Sequence, residues 1–401
     1  MRARRRALAA FGLACATVLL ILVTGPGGAR HSASRDRSAP SSGASMQAAP
    51  ATGKRSDSAE RTSGDNSLAA AERRLGTLII ARYSGPTPDE GLLERIRRGE
   101  VGGVILFGEN TAGGTAATAS AISLAQGAAR AAGTYPLLVM TDQEGGTVKR
   151  LGALPPDRAP AEMTSAREAK AEGHATGLGL RKAGVNVDLA PVADVEQLPR
   201  SFLGTRSFGS SAAVVAARAC AFADGLSEAG VIFTLKHFPG LGTASASTDA
   251  SQVTVPTAAS RLRANYAAYR RCGAAPHGLV MVSSAAYPSL DGSQAPAVTD
   301  PEIYKREMPL AHITLPKISD DLDTPALMDS SSPARSALDA GLDLLLYAGT
   351  ESSSEHAYAV LYRDLRNRLL SPARVLAAAD AVNRLKHVLP VRQPSSQRHP
   401  R

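Results

Sequence analysis

Short apolar runs alternate with longer stretches of helical periodicity between Leu75 and Thr350. Eight of the runs read as buried strands: Leu78–Ala81, Gly103–Phe107, Leu137–Thr141, Val185–Ala190, Val231–Leu235, Gly278–Ser283, Pro316–Ser319 and Asp343–Tyr347. They are apolar at consecutive positions and not at alternate ones, so both faces of their sheet must be covered. Parallel strands flanked by helices have that pattern. The segments between them, among them Glu90–Arg98, Ala212–Ala229 and Ala258–Arg271, have the alanine, leucine and charge content of amphipathic helices. Eight strand-and-helix units predict an α/β fold, a (β/α)8 TIM-type barrel forming one catalytic-type domain over residues 68–392. No Gly-x-Gly-x-x-Gly follows the first strand and no Walker-type loop is present, which argues against a nucleotide-binding open sheet.

The two ends depart from this pattern. Residues 1–29 begin with Arg2, Arg4, Arg5 and Arg6, continue as an apolar run from Ala7 to Thr24, and finish in Gly27-Gly28-Ala29. This is an export signal or a short membrane anchor, the run being close to the roughly 17 residues needed to span a bilayer. Cys15 lacks the preceding pattern of a lipidated cysteine. Residues 30–67 are rich in Ser, Ala and Gly with almost no large apolar side chains, which predicts a disordered tether, and residues 393–401 a disordered tail. The net charge of +9 falls to about +5 without the four leading arginines, and no basic stripe interleaves with aromatics, so nucleic acid is not an expected partner. An exported chain could pair Cys220 with Cys272.

Polar residues gather at the predicted C-terminal strand ends, where a barrel carries its site. The third strand ends in Asp142-Gln143-Glu144-Gly145-Gly146, the fourth leads to Asp194, the fifth to Lys236-His237, and the seventh to Asp320-Asp321, with Arg206 in the loop after the fourth. After Lys236-His237 the chain breaks into Pro239-Gly240. Each acid alone is explained as a helix cap; several at one end of eight strands are not. Carboxylates, a lysine, an imidazole and a guanidinium at one mouth suit a polyhydroxylated ligand. A metal would want two or three histidines among the acids, and only His237 is well placed, so neither metal nor cofactor is expected.

These motifs, with Gly102-Gly103-Val104-Ile105-Leu106-Phe107, Ala190-Pro191-Val192-Ala193-Asp194-Val195, Arg206-Ser207-Phe208-Gly209, Lys236-His237-Phe238-Pro239-Gly240 and Ser319-Asp320-Asp321-Leu322, resemble glycoside hydrolase family 3, in particular its bacterial β-N-acetylglucosaminidase (β-hexosaminidase) branch. The resemblance implies a barrel and retaining hydrolysis of terminal β-linked N-acetylhexosamine from cell-wall or chitin-like fragments. It implies Asp320 as the nucleophile and Asp142, Arg206, Lys236 and His237 as the residues that hold the sugar hydroxyls.

The loop after the fifth strand departs from the branch, which reads Lys-His-Phe-Pro-Gly-His-Gly and then Asp-x-His, its last histidine being the acid/base. Here Leu241 and Ser251 replace the two histidines and Asp249 is retained; no histidine lies between His237 and His277. His277 and His312 precede their strands and are expected at the opposite end, and His174 on a helix surface. A serine hydroxyl is too weak an acid to protonate a leaving group, a service worth about 10²–10⁴-fold. Thr147 and Ser284 stand where the branch often has arginine and histidine, suggesting an altered pocket. The expectation is an exported, monomeric, envelope-associated or extracellular glycosidase with an impaired or substituted acid/base. The alternative is a pseudoenzyme that binds envelope glycans.

Overall fold

A computed structural model describes residues 65–389 except 135, 199–200 and 328–331. The expected export segment with Cys15, nearly all of the tether and the tail lie outside the described residues. A helix over 65–74 opens the fold, slightly ahead of the expected start at Leu68.

Eight parallel strands are β1 Ile79–Arg82, β2 Gly103–Leu106, β3 Leu138–Thr141, β4 Val187–Asp188, β5 Phe233–Phe238, β6 Gly278–Val282, β7 Lys317–Ser319 and β8 Leu345–Leu346, and a short antiparallel pair, Gln143–Gly145 with Val148–Lys149, follows β3. Each apolar run of the sequence contains or overlaps one of them. They pair in parallel in the orders β8-β1-β2-β3-β4 and β5-β6-β7. Parallel bridges Val187↔Ile232 and Ile318↔Leu344 connect the two sheets at both junctions. The result is a mixed α/β fold around a curled parallel sheet, with helices in the connections.

The strands are buried along most of their length because helices cover their outer faces. Helix Glu90–Arg97 starts where the Asp89 carboxylate accepts a hydrogen bond from the Leu92 amide at 2.8 Å, and ends with Arg95 and Arg97 in its last turn. Helices Ala166–Lys182 and Ala212–Glu228 lie backbone against backbone. A Cβ on Gly173 would meet the Phe222 carbonyl oxygen at 2.2 Å, and one on Gly225 the Lys170 carbonyl oxygen at 2.3 Å. Only glycine allows that approach.

Two sequence expectations need correction. β5 does not stop at Leu235: it runs through Lys236 and His237 to Phe238, because Lys236 is bridged to Val192 and Phe238 pairs with Val282 beyond a register shift. The single helix expected over Ala258–Arg271 is two, Ala259–Ala264 and Ala267–Cys272. At the break, Tyr266 turns inward, its ring 5.1 Å from Phe238 and its hydroxyl 3.1 Å from Glu307 Oε2. Tyr269 meets Phe238 edge-on at 5.0 Å.

Cys220 and Cys272 are joined in a disulfide, their Cα atoms 5.8 Å apart, tying helix Ala212–Glu228 to helix Ala267–Cys272. No described helix is long and apolar enough to cross a membrane.

Candidate active site

A cavity of about 340 Å³ opens where the strands end, and Asp142, Arg206, Lys236, His237, Asp249 and Asp320 all line it. β3 delivers Asp142 one residue past its end, β5 delivers Lys236 and His237, β7 delivers Asp320, and Arg206 ends a short 3₁₀ turn after β4. Ser251 is exposed and does not line the cavity; Ser247, Thr248 and Asp249 of the same loop do. Thr147 is exposed, Ser284 is buried, and neither lines the cavity. His277 immediately precedes β6, its carbonyl accepting from the Phe233 amide at 3.2 Å, and His312 precedes β7. His174 is half-buried on helix Ala166–Lys182.

Arg206 and Lys236 are held from behind by Glu144, a residue of the third strand's motif whose role its sequence does not reveal. Its carboxylate is fully buried and accepts from Arg206 Nε at 2.7 Å and Nη2 at 2.8 Å, while Lys236 Nζ lies 2.6 Å from Oε1. Lys236 also reaches Asp142 Oδ1 at 2.7 Å. Burial alone would push the Glu144 carboxyl up, but Lys236 and Arg206 outweigh it and hold the group at about 2. Against burial, Asp142 and Glu144 raise Lys236, and Glu144 raises Arg206, so both remain charged. Glu144 lies in the short strand Gln143–Gly145, and Lys236 touches both it and Asp142, a meeting that local pattern does not announce.

His237 is oriented by Asp194, whose role is likewise not marked in the sequence. Asp194 Oδ2 lies 2.7 Å from His237 Nδ1 and accepts its backbone amide at 3.2 Å, and Oδ1 accepts the Leu241 amide at 2.7 Å. With Nδ1 engaged, Nε2 is left for the cavity. Leu241, at a position where the branch has histidine, lines the wall with an apolar side chain.

Asp320 Oδ1 accepts the Asp321 amide at 3.0 Å and Oδ2 accepts the Thr248 hydroxyl at 3.2 Å. Burial raises its carboxyl, His237 opposes that, and Asp249 adds to it. Beside it, burial pushes Asp321 up to about 6 against hydrogen bonds from the Asp323 and Ala348 amides. Beneath the cavity, burial raises Asp188 well above the usual carboxylate range, although its Oδ1 accepts the Gln143 amide at 3.0 Å. Among the described residues no His/Cys/Asp/Glu group is arranged to hold a metal ion.

Fixed donors and acceptors and the Asp320 carboxylate face one cavity. The family model of the glycosyl hydrolase family 3 N-terminal domain matches residues 71–385. The chain belongs to glycosyl hydrolase family 3. This family 3 chain is 33% identical over 226 residues to a protein of Arthroderma benhamiae named as an uncharacterized secreted glycosyl hydrolase, covering 54% of this chain and 64% of that one. It is 34% identical over 234 residues to the β-hexosaminidase LpqI of Mycobacterium tuberculosis, covering 55% of this chain and 60% of that one. It thus spans less than two thirds of the length of these two relatives. The solved β-N-acetylhexosaminidase of Beutenbergia cavernae shares its fold with a TM-score of 0.72 and 30% identity, covering 79% of this chain and 98% of that one.

Proposed function

We propose that this chain is an exported retaining glycosidase of the β-N-acetylhexosaminidase type, acting on terminal β-linked N-acetylhexosamine of cell-wall or chitin-like fragments. The observation that carries it is the meeting of Asp142, Arg206, Lys236, His237 and Asp320 in one cavity. The two sheets and the bridges at both junctions support a closed (β/α)8 barrel beneath it. Names of β-hexosaminidases among the relatives support the sugar class, and the Cys220–Cys272 cross-link supports an oxidising compartment.

In this reading the sugar displaces solvent from the mouth and its hydroxyls pair with Asp142, Lys236, Arg206 and His237 Nε2. Glu144 and Asp194 have already oriented those groups, so little reorganisation remains at binding. Asp320 attacks the anomeric carbon, the aglycone oxygen leaves, and water later releases the covalent glycosyl-enzyme with net retention. Departure needs a proton for ordinary sugars. Asp249 and Asp321 are the lining carboxyls available to give it, and neither is the histidine of the branch.

The test compares a dinitrophenyl β-N-acetylglucosaminide, whose leaving group needs no proton, with a natural disaccharide. Turnover of the first that vanishes in Asp320→Asn, with the disaccharide slower by about 10²-fold or more, is the expected result. A second reading, a glycan-binding pseudoenzyme, is favoured by the absence of any histidine but His237 from the lining. It predicts calorimetric binding of N-acetylglucosamine without turnover of either substrate.

A further inference from the structure

The loop between β5 and β6 is anchored at its neck and touches the site at its tip. At the neck the Leu241 amide is held by Asp194, the Thr243 and Thr257 hydroxyls meet, and Thr254 bridges to Ala286. At the tip the Ser247 hydroxyl donates to Asp249 Oδ2 at 3.1 Å and accepts the Asp249 amide at 3.3 Å, a local turn that fixes Asp249 relative to its neighbours. Thr248 lies between them and is buried, and its hydroxyl reaches 3.2 Å across to Asp320 Oδ2. Among the described residues, that is the one hydrogen bond joining positions 245–252 to Asp320 or to any other part of the cavity wall.

We propose that Thr248 is a positioning residue: its hydroxyl orients the Asp320 carboxylate and, by the same hydrogen bond, latches the tip of the loop over the cavity. The inference rests on Asp320 being the nucleophile. Oδ1 is already committed to the Asp321 amide, so the Thr248 bond removes the remaining rotation of the carboxylate. A donor on a carboxylate favours its anion, the form that attacks. The bond also brings Asp249 close enough to Asp320 for their charges to interact. A substrate entering the cavity must share Oδ2 with Thr248 or open the latch, so loop position and nucleophile orientation change together. The groups that face Asp320 are Lys236 and His237 from β5, Asp249 from the loop, Asp321 beside it, and Tyr287 after β6.

The experiment uses the full chain as wild type, Thr248→Val, Thr248→Ser and Asp320→Ala, with two independent readouts. The first is the pH profile of kcat/KM on the dinitrophenyl glycoside. Thr248→Val is expected to lose roughly tenfold in kcat and to move the acidic limb up by about one pH unit, because the anion loses a charged hydrogen bond. Thr248→Ser, which restores the donor, recovers most of both. The second is hydrogen exchange of amides 245–252 without ligand, expected to speed up by about threefold or more in Thr248→Val and Asp320→Ala and not in Thr248→Ser. Unchanged acidic limb and unchanged exchange in Thr248→Val overturn the latch. Absence of turnover in wild type with the exchange pattern intact overturns the glycosidase reading and leaves the contact standing as a loop anchor.

Discussion

Glu144→Gln tests whether the cations of the site are held by one buried anion. The substitution keeps the shape and one acceptor but removes the charge between Arg206 and Lys236. The Glu144 carboxyl falls from 4.5 to about 2 on folding, which corresponds to about 3 kcal/mol of stability at neutral pH. Because the folded value is the depressed one, this stability is present above pH 4.5 and is lost as pH falls toward 2. Integrating between the two values places a loss of about 2 kcal/mol by pH 3. Removing one member of a buried charge cluster costs about 3–5 kcal/mol by a separate line of argument, in agreement. The assay is guanidinium unfolding of wild type and Glu144→Gln at intervals from pH 7 to pH 3, with calorimetric binding of N-acetylglucosamine at pH 7. The variant is expected to be about 3 kcal/mol weaker at pH 7, with the gap narrowing as pH falls. Affinity is expected to drop as well, since Lys236 and Arg206 then share Asp142. A gap below about 1 kcal/mol at pH 7, or one that does not narrow on acidification, would refute the reasoning.

Three further outcomes follow from geometry already described. Reducing the Cys220–Cys272 cross-link, which closes a loop with a sequence separation of 52, should cost about 4 kcal/mol by loop-closure entropy, read from denaturant midpoints with and without a phosphine reductant; no change would mean the cross-link does not form in solution. Gly173→Ala should destabilise by about 1–3 kcal/mol or more, because the new methyl meets the Phe222 carbonyl across the helix pair; a melting temperature equal to wild type would show that the helices separate freely. Ser251→His should leave hydrolysis of a disaccharide within about twofold of wild type, since position 251 faces solvent and not the cavity; rescue by about 10²-fold would show that the loop brings it in.

The strands were legible because burial on both faces leaves a run with no polar interruption, as in Leu137–Thr141 and Gly278–Ser283. β5 runs past its apolar run for a reason local pattern does not carry: Lys236 and His237 look like a boundary, and only carboxylates from other segments, Asp142, Glu144 and Asp194, accommodate them inside a strand. Asn265, a stop residue, is the C-cap of the first helix; after it the Tyr266 ring packs on Phe238 and its hydroxyl meets Glu307, partners far away in sequence. In the site, the residues that face the cavity could be picked by motif. Those that stand behind them, Glu144 and Asp194, carry no such mark, since a supporting carboxylate is defined by what it touches. Thr248 and Ser251 sit three positions apart in one polar loop, and nothing in local pattern says which turns inward.

The cross-link divides the site in an unexpected way. Residues between Cys220 and Cys272 form a closed covalent ring that contains β5, the loop above it and the tyrosines that pack on Phe238. Lys236, His237, Thr248 and Asp249 belong to the ring; Asp142, Arg206 and Asp320 do not. When the protein opens partially, the ring members stay tethered to one another while Asp320, Asp142 and Arg206 are free to depart. The pocket is therefore assembled at a seam between a knotted-off segment and the open chain, and its integrity reports on whether the two halves are docked.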